Sequence, residues 1–236
     1  MRLSIVVPFF DEEENAASVL NEIVEVLGKL NYDYEIIAID DASKDNTLKI
    51  LQGFLQKVKN FRIISHRHNL GQGICLWEGM RIASGEVIIT LDGDGQNDFR
   101  DVPKMLPLLK EYDAVLGQRI RRLDPFLKLI GTKVGYFFRQ VFLNDNVLDT
   151  ACGLKLIKKN VIQYFLPIRN FFLFIPFMLK LAGVPFVTIE VNHRPRLKGR
   201  SKYRFLRLYF LAYAFDLGFM WCYKRRSIFR QLQKNG

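Results

Sequence analysis

The chain contains 236 residues, 49% of them hydrophobic, so it can bury one full core and still carry a smaller appendage. Its three cysteines, Cys75, Cys152 and Cys222, lack CxxC spacing, which argues against a disulfide framework and indicates a reducing compartment. The chain has 35 Lys and Arg residues against 24 Asp and Glu residues, and the whole excess lies after residue 193. A neutral body with a basic end is expected to meet an anionic partner at that end.

Strand patterns recur from the N-terminus to residue 117. The predicted strands are Leu3–Phe9, Tyr34–Ile39, Phe61–Ser65, Val87–Leu91 and Asp113–Gly117. Segments with helical spacing of apolar residues separate these strands. This alternation predicts right-handed βαβ units, and therefore an α/β fold with a mostly parallel sheet and helices on both faces.

Three helices are predicted between the first four strands. The acidic run Asp11–Glu14 suits the first turn of the first helix. The second helix is capped by Ser43 or Asp45. Its inward residues are expected to be Leu48, Leu51, Leu55 and Val58. The third helix follows a glycine-containing loop and ends at Gly85.

The stretch Val87–Gln96 is the centre of the prediction. Its apolar, β-branched run ends in Asp92-Gly93-Asp94-Gly95-Gln96, and such a strand delivers acids to the sheet edge where ligands bind. Two carboxylates and an amide oxygen suit Mg²⁺ or Mn²⁺, which also takes phosphate oxygens from a substrate. The glycines would let a diphosphate come close to the backbone. An acidic turn or a calcium loop is the alternative.

Acids follow three of the predicted strands, at Asp11, at Asp40–Asp41 and at Asp92–Asp94. Ends of parallel strands meet at one edge of the sheet, so this arrangement predicts a site for a nucleotide and a metal. His66 and His68 form an HxH pair without an evident third ligand, and we expect both to be ordinary loop residues.

The second part of the chain is richer in aromatic and basic residues. It predicts an amphipathic basic helix over 126–143, an aromatic helix over 171–181 interrupted by Pro176, and a strand over 185–191. The apolar run 208–223 contains Asp216 and would extend roughly 24 Å as a helix, short of a ~30 Å hydrocarbon core. It favours a helix lying on a membrane or docked on a membrane partner. A helix packed on the domain is the alternative.

Five segments, in order along the chain, resemble motifs of family 2 glycosyltransferases. Val7–Asn15 resembles Pro-x-Tyr-Asn-Glu-x-Glu-Asn, and Ile39–Thr47 resembles Asp-Asp-x-Ser-x-Asp-x-Thr. Asp92–Gln96 is similar to the metal-binding motif, and Gly117–Arg119 is similar to Gly-Ser-Arg. Arg194–Tyr203 resembles the Arg-x-x-Gly-x-Ser-Lys-Tyr ending of the dolichyl-phosphate mannose synthase-like, polyprenyl-phosphate branch.

The resemblance implies a GT-A (Rossmann-like) fold, a nucleotide-sugar donor, Mg²⁺ or Mn²⁺, and a polyprenyl-phosphate acceptor. Carried over position by position, it assigns the nucleoside to Pro8, Phe10, Glu12 and Asp41, the metal and diphosphate to Asp92, Asp94 and Gln96, and the phosphates to Arg119, Arg196 and Lys202. Gly93 is expected beside the diphosphate, and Asp92 and Asp94 count among the catalytic residues. Further candidates for the acceptor phosphate are Lys128, Lys133 and Arg139.

The sequence departs from the family pattern at two places. Phe10 and Asp11 stand where Tyr and Asn are usual, so stacking on the base is retained while a hydroxyl contact is lost. Phe172-Leu173-Phe174 stands where relatives often place a His or Gln that reaches the sugar. The identity of the sugar is therefore left open, and UDP is favoured over GDP as the nucleotide.

We expect an inverting, metal-dependent glycosyltransferase at the cytoplasmic face of the membrane, with a catalytic domain over 1–203 and a basic membrane-associating tail over 204–236. Its expected partners are the nucleotide-sugar, the polyprenyl phosphate, an anionic membrane surface, and a second copy or a membrane protein; nucleic acid is not expected. Two alternatives stay open. One is a family member that acts on a soluble or polysaccharide acceptor, and the other is a non-enzymatic basic adaptor for membrane or nucleic acid.

Overall fold

The computed structural model describes residues 1–119, 135–195 and 213–225. Within these residues, seven strands form one sheet in the order β3-β2-β1-β4-β6-β5-β7. The strands are β1 (Arg2–Phe9), β2 (Asp33–Asp40), β3 (Phe61–Ser65), β4 (Val87–Thr90), β5 (Ala114–Arg119), β6 (Lys155–Lys158) and β7 (Phe186–Val191). The six strands predicted from the sequence are confirmed to within two residues at either end.

The sheet is mostly parallel, as predicted. Strand β1 pairs in parallel with β2 and β4, β2 pairs in parallel with β3, and β5 pairs in parallel with β7. Strand β6 runs antiparallel to both of its neighbours, β4 and β5. Strands β1 to β5 and β7 therefore all end at the same edge, which we call the carboxyl edge, and β6 begins there.

Strand β6 is absent from the sequence prediction. It has only four residues, and two of them are Lys155 and Lys158. Both Leu156 and Ile157 are fully buried. The run of apolar residues is nevertheless too short to mark a buried strand in the sequence.

Helices cover both faces of the sheet. They are α1 (Ala16–Gly28), α2 (Thr47–Phe54), α3 (Gln72–Ile82), α4 (Val102–Met105), α5 (135–142), α6 (Ile175–Leu181) and α7 (213–225). Helices α1, α2 and α4 pack on one core, which includes Leu3, Ile5 and Val7 of β1. Helices α3, α6 and α7 pack on the other, which includes Val6. Successive side chains of a strand point to opposite faces, so β1 contributes to both cores.

Two details of the first helices differ from the prediction. Helix α1 begins at Ala16, so the acids of Asp11–Glu14 lie in the preceding loop and not in the first turn. In α2, Phe54 is buried whereas Leu55 is 49% exposed, because the helix ends at Phe54 and the chain turns after it.

The aromatic segment after residue 170 is also differently built. Phe171–Leu173 form a 3₁₀ turn, and α6 then begins at Ile175 with Pro176 in its first turn. Proline suits that position because its missing N–H would have no partner within the helix. Pro176 therefore starts a helix and does not interrupt one.

Helix α7 packs on the domain, which was the alternative interpretation of the C-terminal run, and its contact with a membrane remains a prediction. Leu217 and Met220 are buried in the core that α3 and α6 share. The side chain of Asn170 donates to Asp216 Oδ2 at 2.6 Å, which explains a buried acid in this helix. The opposite face exposes Phe215, of which 76% is accessible, and Phe219. Residues 204–212 and 226–236 of the predicted tail lie outside the described residues.

Helix α5 is the described part of the predicted helix 126–143; its earlier residues are outside the described ranges. Phe137, Phe138 and Val141 are exposed whereas Arg139 is buried, so the predicted amphipathic, basic character of this helix remains a prediction. Across the described ranges, no helix combines the length and the apolar character needed to cross a bilayer.

Candidate active site

The loops that follow β1 and β2 are joined by hydrogen bonds at the carboxyl edge. The backbone N–H of Asp11 donates to Ser43 Oγ at 2.9 Å, and Asp11 Oδ1 accepts from the backbone N–H of Lys44 at 2.7 Å. The N-cap residue of α2 is Asn46, so the prediction of Ser43 or Asp45 as the cap is wrong. Asp45, one residue earlier, accepts from the backbone N–H of Thr47 at 2.9 Å. The hydroxyl of Ser43 is instead hydrogen-bonded to the loop after β1. The first two family motifs thus form one surface.

Glu12 belongs to the same surface. Its carboxylate is buried and accepts from Asn15 Nδ2 at 2.6 Å, and its backbone N–H donates to Thr47 Oγ1 at 2.7 Å. Pro8 is buried within β1, and Phe10 is half-buried directly after it. The structure brings all three residues to the carboxyl edge. Their contact with a nucleoside remains a prediction.

Asp41 organises the loop after β3. Its carboxylate accepts from the backbone N–H groups of Leu70 and Gly71, each at 2.8 Å, and from His66 Nδ1 at 2.8 Å. Burial opposes ionisation, but these hydrogen bonds outweigh it and lower the pKa of Asp41. Asp41, which is predicted to bind the nucleoside, therefore also stabilises the loop after β3.

His66 is a residue whose role the sequence analysis missed. Its Nε2 lies 2.7 Å from Glu78, so the ring is held between two carboxylates. Burial alone would lower the pKa of His66, but the hydrogen bonds to Asp41 and Glu78 raise it. The expectation of an ordinary loop residue is right for the exposed His68 and wrong for His66.

Cys75 completes this cluster. Ligand-type atoms of Asp41, His66 and Cys75 lie within 4.8 Å of one another. Burial is the main cause that raises the pKa of the Cys75 thiol, which therefore stays protonated. Because both Asp41 oxygens already accept backbone N–H groups, the cluster is arranged as a hydrogen-bonded network that shapes residues 66–71.

Asp92 lies directly after β4 and Leu91. Its Oδ1 accepts from Gln72 Nε2 at 2.6 Å. Burial, and then the charge of Asp94, raise the pKa of Asp92 to about 6. The charges of Lys155 and Arg119 act against this shift.

The residues that follow Asp92 form a tight turn. Asp94 Oδ1 accepts from the backbone N–H of Gln96 at 3.1 Å, and Gly95 has a φ of +75°, a conformation that favours glycine. Gly93 has a packing reason that the sequence analysis did not foresee. A Cβ at this position would lie 2.5 Å from the ring of Phe9 and 2.6 Å from the carbonyl oxygen of Pro8. Its small size is therefore required by β1, whatever approaches from solvent.

Arg119 ends β5 and is held by Asp149, which the sequence analysis missed. The guanidinium donates through Nε to Oδ2 at 2.6 Å and through Nη2 to Oδ1 at 2.7 Å. Burial opposes the charge, but the bond to Asp149 outweighs it and raises the pKa of Arg119. The arginine is charged and fixed, with two of its donors already used.

Lys155, at the start of β6, was also missed. It is only 2% exposed, and its Nζ donates to the carbonyl oxygen of Cys152. Burial lowers the pKa of Lys155, whereas Asp92 and Asp149 act against that shift. Lys155 is thus, after Arg119, a second buried cation whose charge acts on Asp92. Because strand β6 was not predicted, no pattern in the sequence indicated that Lys155 is buried.

Of the remaining predicted cations, the structure describes Arg139. Arg139 is not in the site: it is 5% exposed, and its Nε donates to Asp145 Oδ2 at 2.5 Å, so it cannot serve an acceptor phosphate. Arg194 forms a two-point ion pair with Glu22, at 2.6 and 2.8 Å. Arg196, Lys202, Lys128 and Lys133 lie outside the described residues.

Phe172, Leu173 and Phe174, the positions where relatives often place a residue that reaches the sugar, are all buried in the second core. A polar contact to the sugar from these three side chains is therefore absent. The aromatic character of the segment serves packing.

A mostly parallel sheet with helices on both faces, and with paired acids beside two joined loops at its carboxyl edge, defines a GT-A-like α/β protein. Residues 4–165 match the model of Glycosyl transferase family 2. The chain belongs to this family.

Two relatives are undecaprenyl-phosphate 4-deoxy-4-formamido-L-arabinose transferases. That of Proteus mirabilis (strain HI4320) is 30% identical over 214 residues, which make up 90% of this chain and 66% of that protein. That of Photorhabdus laumondii subsp. laumondii is 28% identical with the same coverage. The chain thus spans just under two thirds of the length of these relatives.

Solved structures share the fold. Glucosyl-3-phosphoglycerate synthase from Mycobacterium tuberculosis, in complex with Mn²⁺, UDP-glucose and phosphoglyceric acid, aligns with a TM-score of 0.64 at 17% identity over 84% of this chain and 72% of that one. Mannosyl-3-phosphoglycerate synthase from Rubrobacter xylanophilus aligns with a TM-score of 0.66 at 16% identity, over 100% of this chain and 75% of that one. At these identities the likeness establishes the fold.

Proposed function

We propose that the chain transfers a sugar from a nucleotide-sugar to a polyprenyl phosphate in a metal-dependent, inverting reaction. The observation that carries the proposal is the pair Asp92 and Asp94, which lies at the same edge of the sheet as the two joined motif loops. The names of the relatives, undecaprenyl-phosphate sugar transferases, support the lipid phosphate as acceptor.

A divalent cation fits this donor set. Carboxylate oxygens are the ligands that Mg²⁺ and Mn²⁺ prefer. Burial, and then the charge of Asp94, raise the pKa of Asp92 to about 6, and a cation held by both acids would favour their ionised forms. Asp92, Asp94 and Gln96 would hold the ion. When bound, the ion supplies positive charge to the diphosphate that leaves the sugar.

The chain supplies further positive charge of its own. The charges of Arg119 and Lys155 act on Asp92, and the two side chains are held by Asp149 and by the Cys152 carbonyl. Pre-organised charge in an enclosed site stabilises a leaving diphosphate without reorganisation at the moment of reaction. Arg119 would therefore act through its fixed charge more than through a free pair of donors.

The acceptor needs positioning more than activation. A phosphate monoester is largely ionised near pH 7, so its oxygen attacks C1 of the sugar without a strong general base. The new C1–O bond forms as the bond from C1 to the diphosphate breaks, and in-line attack inverts the configuration at C1. The family motif supports Arg196 and Lys202 as the cations that hold the acceptor.

The nucleotide would occupy the surface formed by the first two motif loops. Phe10 would stack on the base, with Pro8, Glu12 and Asp41 around the nucleoside and Gly93 near the diphosphate. We favour UDP over GDP as the nucleotide.

Membrane association would bring the enzyme to its lipid substrate. Helices α5 and α7 meet where Phe142 packs edge-on against Trp221, with ring centres 6.3 Å apart. We call the most exposed of their apolar residues the aromatic surface: Phe137, Phe138, Val141, Phe215 and Phe219. With basic residues nearby, such as Arg225 over the ring of Trp221, this surface suits the headgroup region of an anionic membrane. The proposed location is the inner face of the membrane.

The test is a transfer assay with a panel of UDP- and GDP-sugars and a short-chain polyprenyl phosphate, with Mn²⁺ or Mg²⁺ or with EDTA. We expect a lipid-linked sugar phosphate only when metal is present. Polyprenol without phosphate serves as the control acceptor, and 3-phosphoglycerate as a soluble phosphate. Transfer to the soluble acceptor alone would contradict the lipid acceptor, and turnover unaffected by EDTA would contradict the metal.

A further inference from the structure

The Asp92 carboxylate is fixed from two sides by residues that carry no role in the proposed reaction. On one side Gln72, the first residue of α3, donates from Nε2 to Asp92 Oδ1 at 2.6 Å. On the other side lies the backbone of Gly153. A Cβ at Gly153 would be 2.4 Å from both Cγ and Oδ2 of Asp92 and 2.5 Å from Oδ1.

The start of α3 holds Gln72 in place. The backbone N–H groups of Leu70 and Gly71 both donate to Asp41, so the approach to the helix is fixed at two points. Gly73 packs directly on the next segment, because a Cβ there would lie 1.9 Å from the carbonyl oxygen of Arg169. Little room remains for the first turn of α3 to move.

The turn that contains Gly153 is fixed as firmly. Thr90 Oγ1 donates to the Gly153 carbonyl oxygen at 2.6 Å, and the buried Lys155 donates to the Cys152 carbonyl oxygen. The backbone N–H of Gly117 donates to the Leu154 carbonyl oxygen at 2.9 Å. Residues of β4, β5 and β6 therefore all hold this short turn against Asp92.

We propose that Gln72 and Gly153 are positioning residues of the metal site: together they fix the orientation of the Asp92 carboxylate before the cation binds. A ligand held in one rotamer loses little conformational freedom on binding, and partners behind a ligand commonly change metal affinity by about 10–100-fold. The inference rests on the metal site proposed above.

A purely structural role would have a different signature. If Gln72 served only to start α3, its loss would change the unfolding temperature and leave the affinity for metal unaltered. A positioning role instead predicts weaker metal binding and an unchanged unfolding temperature. Gln72 is half-buried, and among the described hydrogen bonds its amide contacts only Asp92.

The first test replaces the amide without removing bulk. We expect Gln72→Leu to weaken binding of Mn²⁺ alone by about 10-fold or more, measured by titration with electron paramagnetic resonance. The unfolding temperature without metal, and UDP binding in EDTA, should stay as in the wild type. Gln52→Leu, at an exposed glutamine of α2, is the matched control and should bind Mn²⁺ normally.

The second test fills the space behind the carboxylate. Gly153→Ala should displace Asp92 and weaken Mn²⁺ binding at least as much as Gln72→Leu does. Gly28→Ala is its control, since a Cβ at Gly28 meets nothing within 4 Å. Should Gly153→Ala fail to fold, the comparison of the two glutamine variants still decides the question.

The variant Asp92→Asn distinguishes a failure of the positioning role from a failure of the proposed metal site. If the wild type binds Mn²⁺, Asp92→Asn does not, and Gln72→Leu binds as the wild type does, the positioning role is overturned and the metal site stands. If the wild type and Asp92→Asn bind Mn²⁺ equally, the metal site is overturned and the positioning role falls with it.

Discussion

Asp92 and Asp94 are separated by one glycine, yet they occupy different surroundings. Asp92 is enclosed between Gln72 and the Gly153 turn. Asp94 belongs to a surface turn, where Oδ1 accepts from the backbone N–H of Gln96 at 3.1 Å. A substitution at Asp94 should therefore report on charge with little disturbance of packing.

Asp94→Asn is expected to lower turnover by a factor on the order of 10²–10³, by analogy with the loss of one pre-organised electrostatic group. Asparagine keeps an oxygen that can accept from Gln96, so the unfolding temperature should not change. The measurement is the rate of lipid-linked product formation at saturating Mn²⁺. Asp113→Asn, at the opposite end of β5, is the control; more than a third of wild-type turnover in Asp94→Asn would refute the metal role.

At Glu35, a different buried acid, hydrogen bonds outweigh the effect of burial on the pKa. Its Oε1 accepts from Ser4 Oγ at 2.6 Å and from the backbone N–H of Ser84 at 2.6 Å. Burial alone would raise the pKa, but these bonds outweigh it and lower the pKa of Glu35 to about 2, from 4.5. The ionised form is thus preferred in the folded state, and its contribution to stability is lost as pH falls from about 4.5 to 2.

Glu35→Gln should lower the free energy of unfolding by about 1–2 kcal/mol at pH 7, because hydrogen bonds to a charged acceptor are replaced by neutral ones. Near pH 2 the difference from the wild type should vanish. Urea unfolding at several pH values measures both. Glu25→Gln, on the exposed face of α1, is the control; a difference that is the same at every pH would contradict the assigned pKa.

Among the secondary-structure elements, the most predictable were those whose own residues show a clear pattern. The apolar runs of β1, β2 and β4 end in acids, so both the strands and their shared edge were predictable. Strand β6 was not, because its short pattern contains Lys155, and the burial of that lysine depends on carboxylates from other segments.

The same limit applies to the site. Asp92 and Arg119 stand in recognisable motifs, whereas their partners Gln72 and Asp149 are 20 and 30 residues away and give no pattern of their own. Arg139 illustrates the converse error. Its spacing placed it on a basic helical face, yet the following loop folds back over the side chain and buries it.

Arg139 joins α5 to the loop that follows it. The guanidinium donates to Asp145 Oδ2 at 2.5 Å, to Thr150 Oγ1 at 3.0 Å and to the carbonyl oxygen of Val147. This loop continues into Asp149, which holds Arg119. Arg139 therefore holds the segment that also carries Asp149, the partner of Arg119.

Arg139→Met should lower the free energy of unfolding by about 3–5 kcal/mol, because it leaves Asp145 buried without its cation. Thermal and urea unfolding at pH 7 measure the loss. Arg81→Met, at an exposed arginine of α3, is the control and should remain within ±0.5 kcal/mol of the wild type. Equal stability of Arg139→Met and the wild type would show that the loop does not depend on this side chain.

For the whole molecule, the net charge hides the fact that some basic residues of the C-terminal part are paired or bonded within the fold. Arg194 belongs to the basic C-terminal part, yet Glu22 neutralises it within the body. Lys224 donates to the carbonyl oxygens of Phe142 and Leu143 and so fixes α7 against the end of α5. Part of the basic charge thus assembles the aromatic surface, and removal of the tail after Tyr203 would also remove Leu217 and Met220 from the core.

Point substitutions on the aromatic surface are therefore the cleaner test of membrane binding. Burial of one phenylalanine is worth about 1.5–3 kcal/mol, so Phe215→Ser and Phe219→Ser should each weaken binding to anionic liposomes by about tenfold or more. Their unfolding temperatures should stay unchanged, whereas Leu217→Ser, the inward control on the same helix, should be destabilised. Co-sedimentation at low and high salt measures the binding, and wild-type binding should weaken with salt because part of the attraction is Coulombic. If both phenylalanine variants bind as the wild type does at either salt, this surface is not the membrane contact.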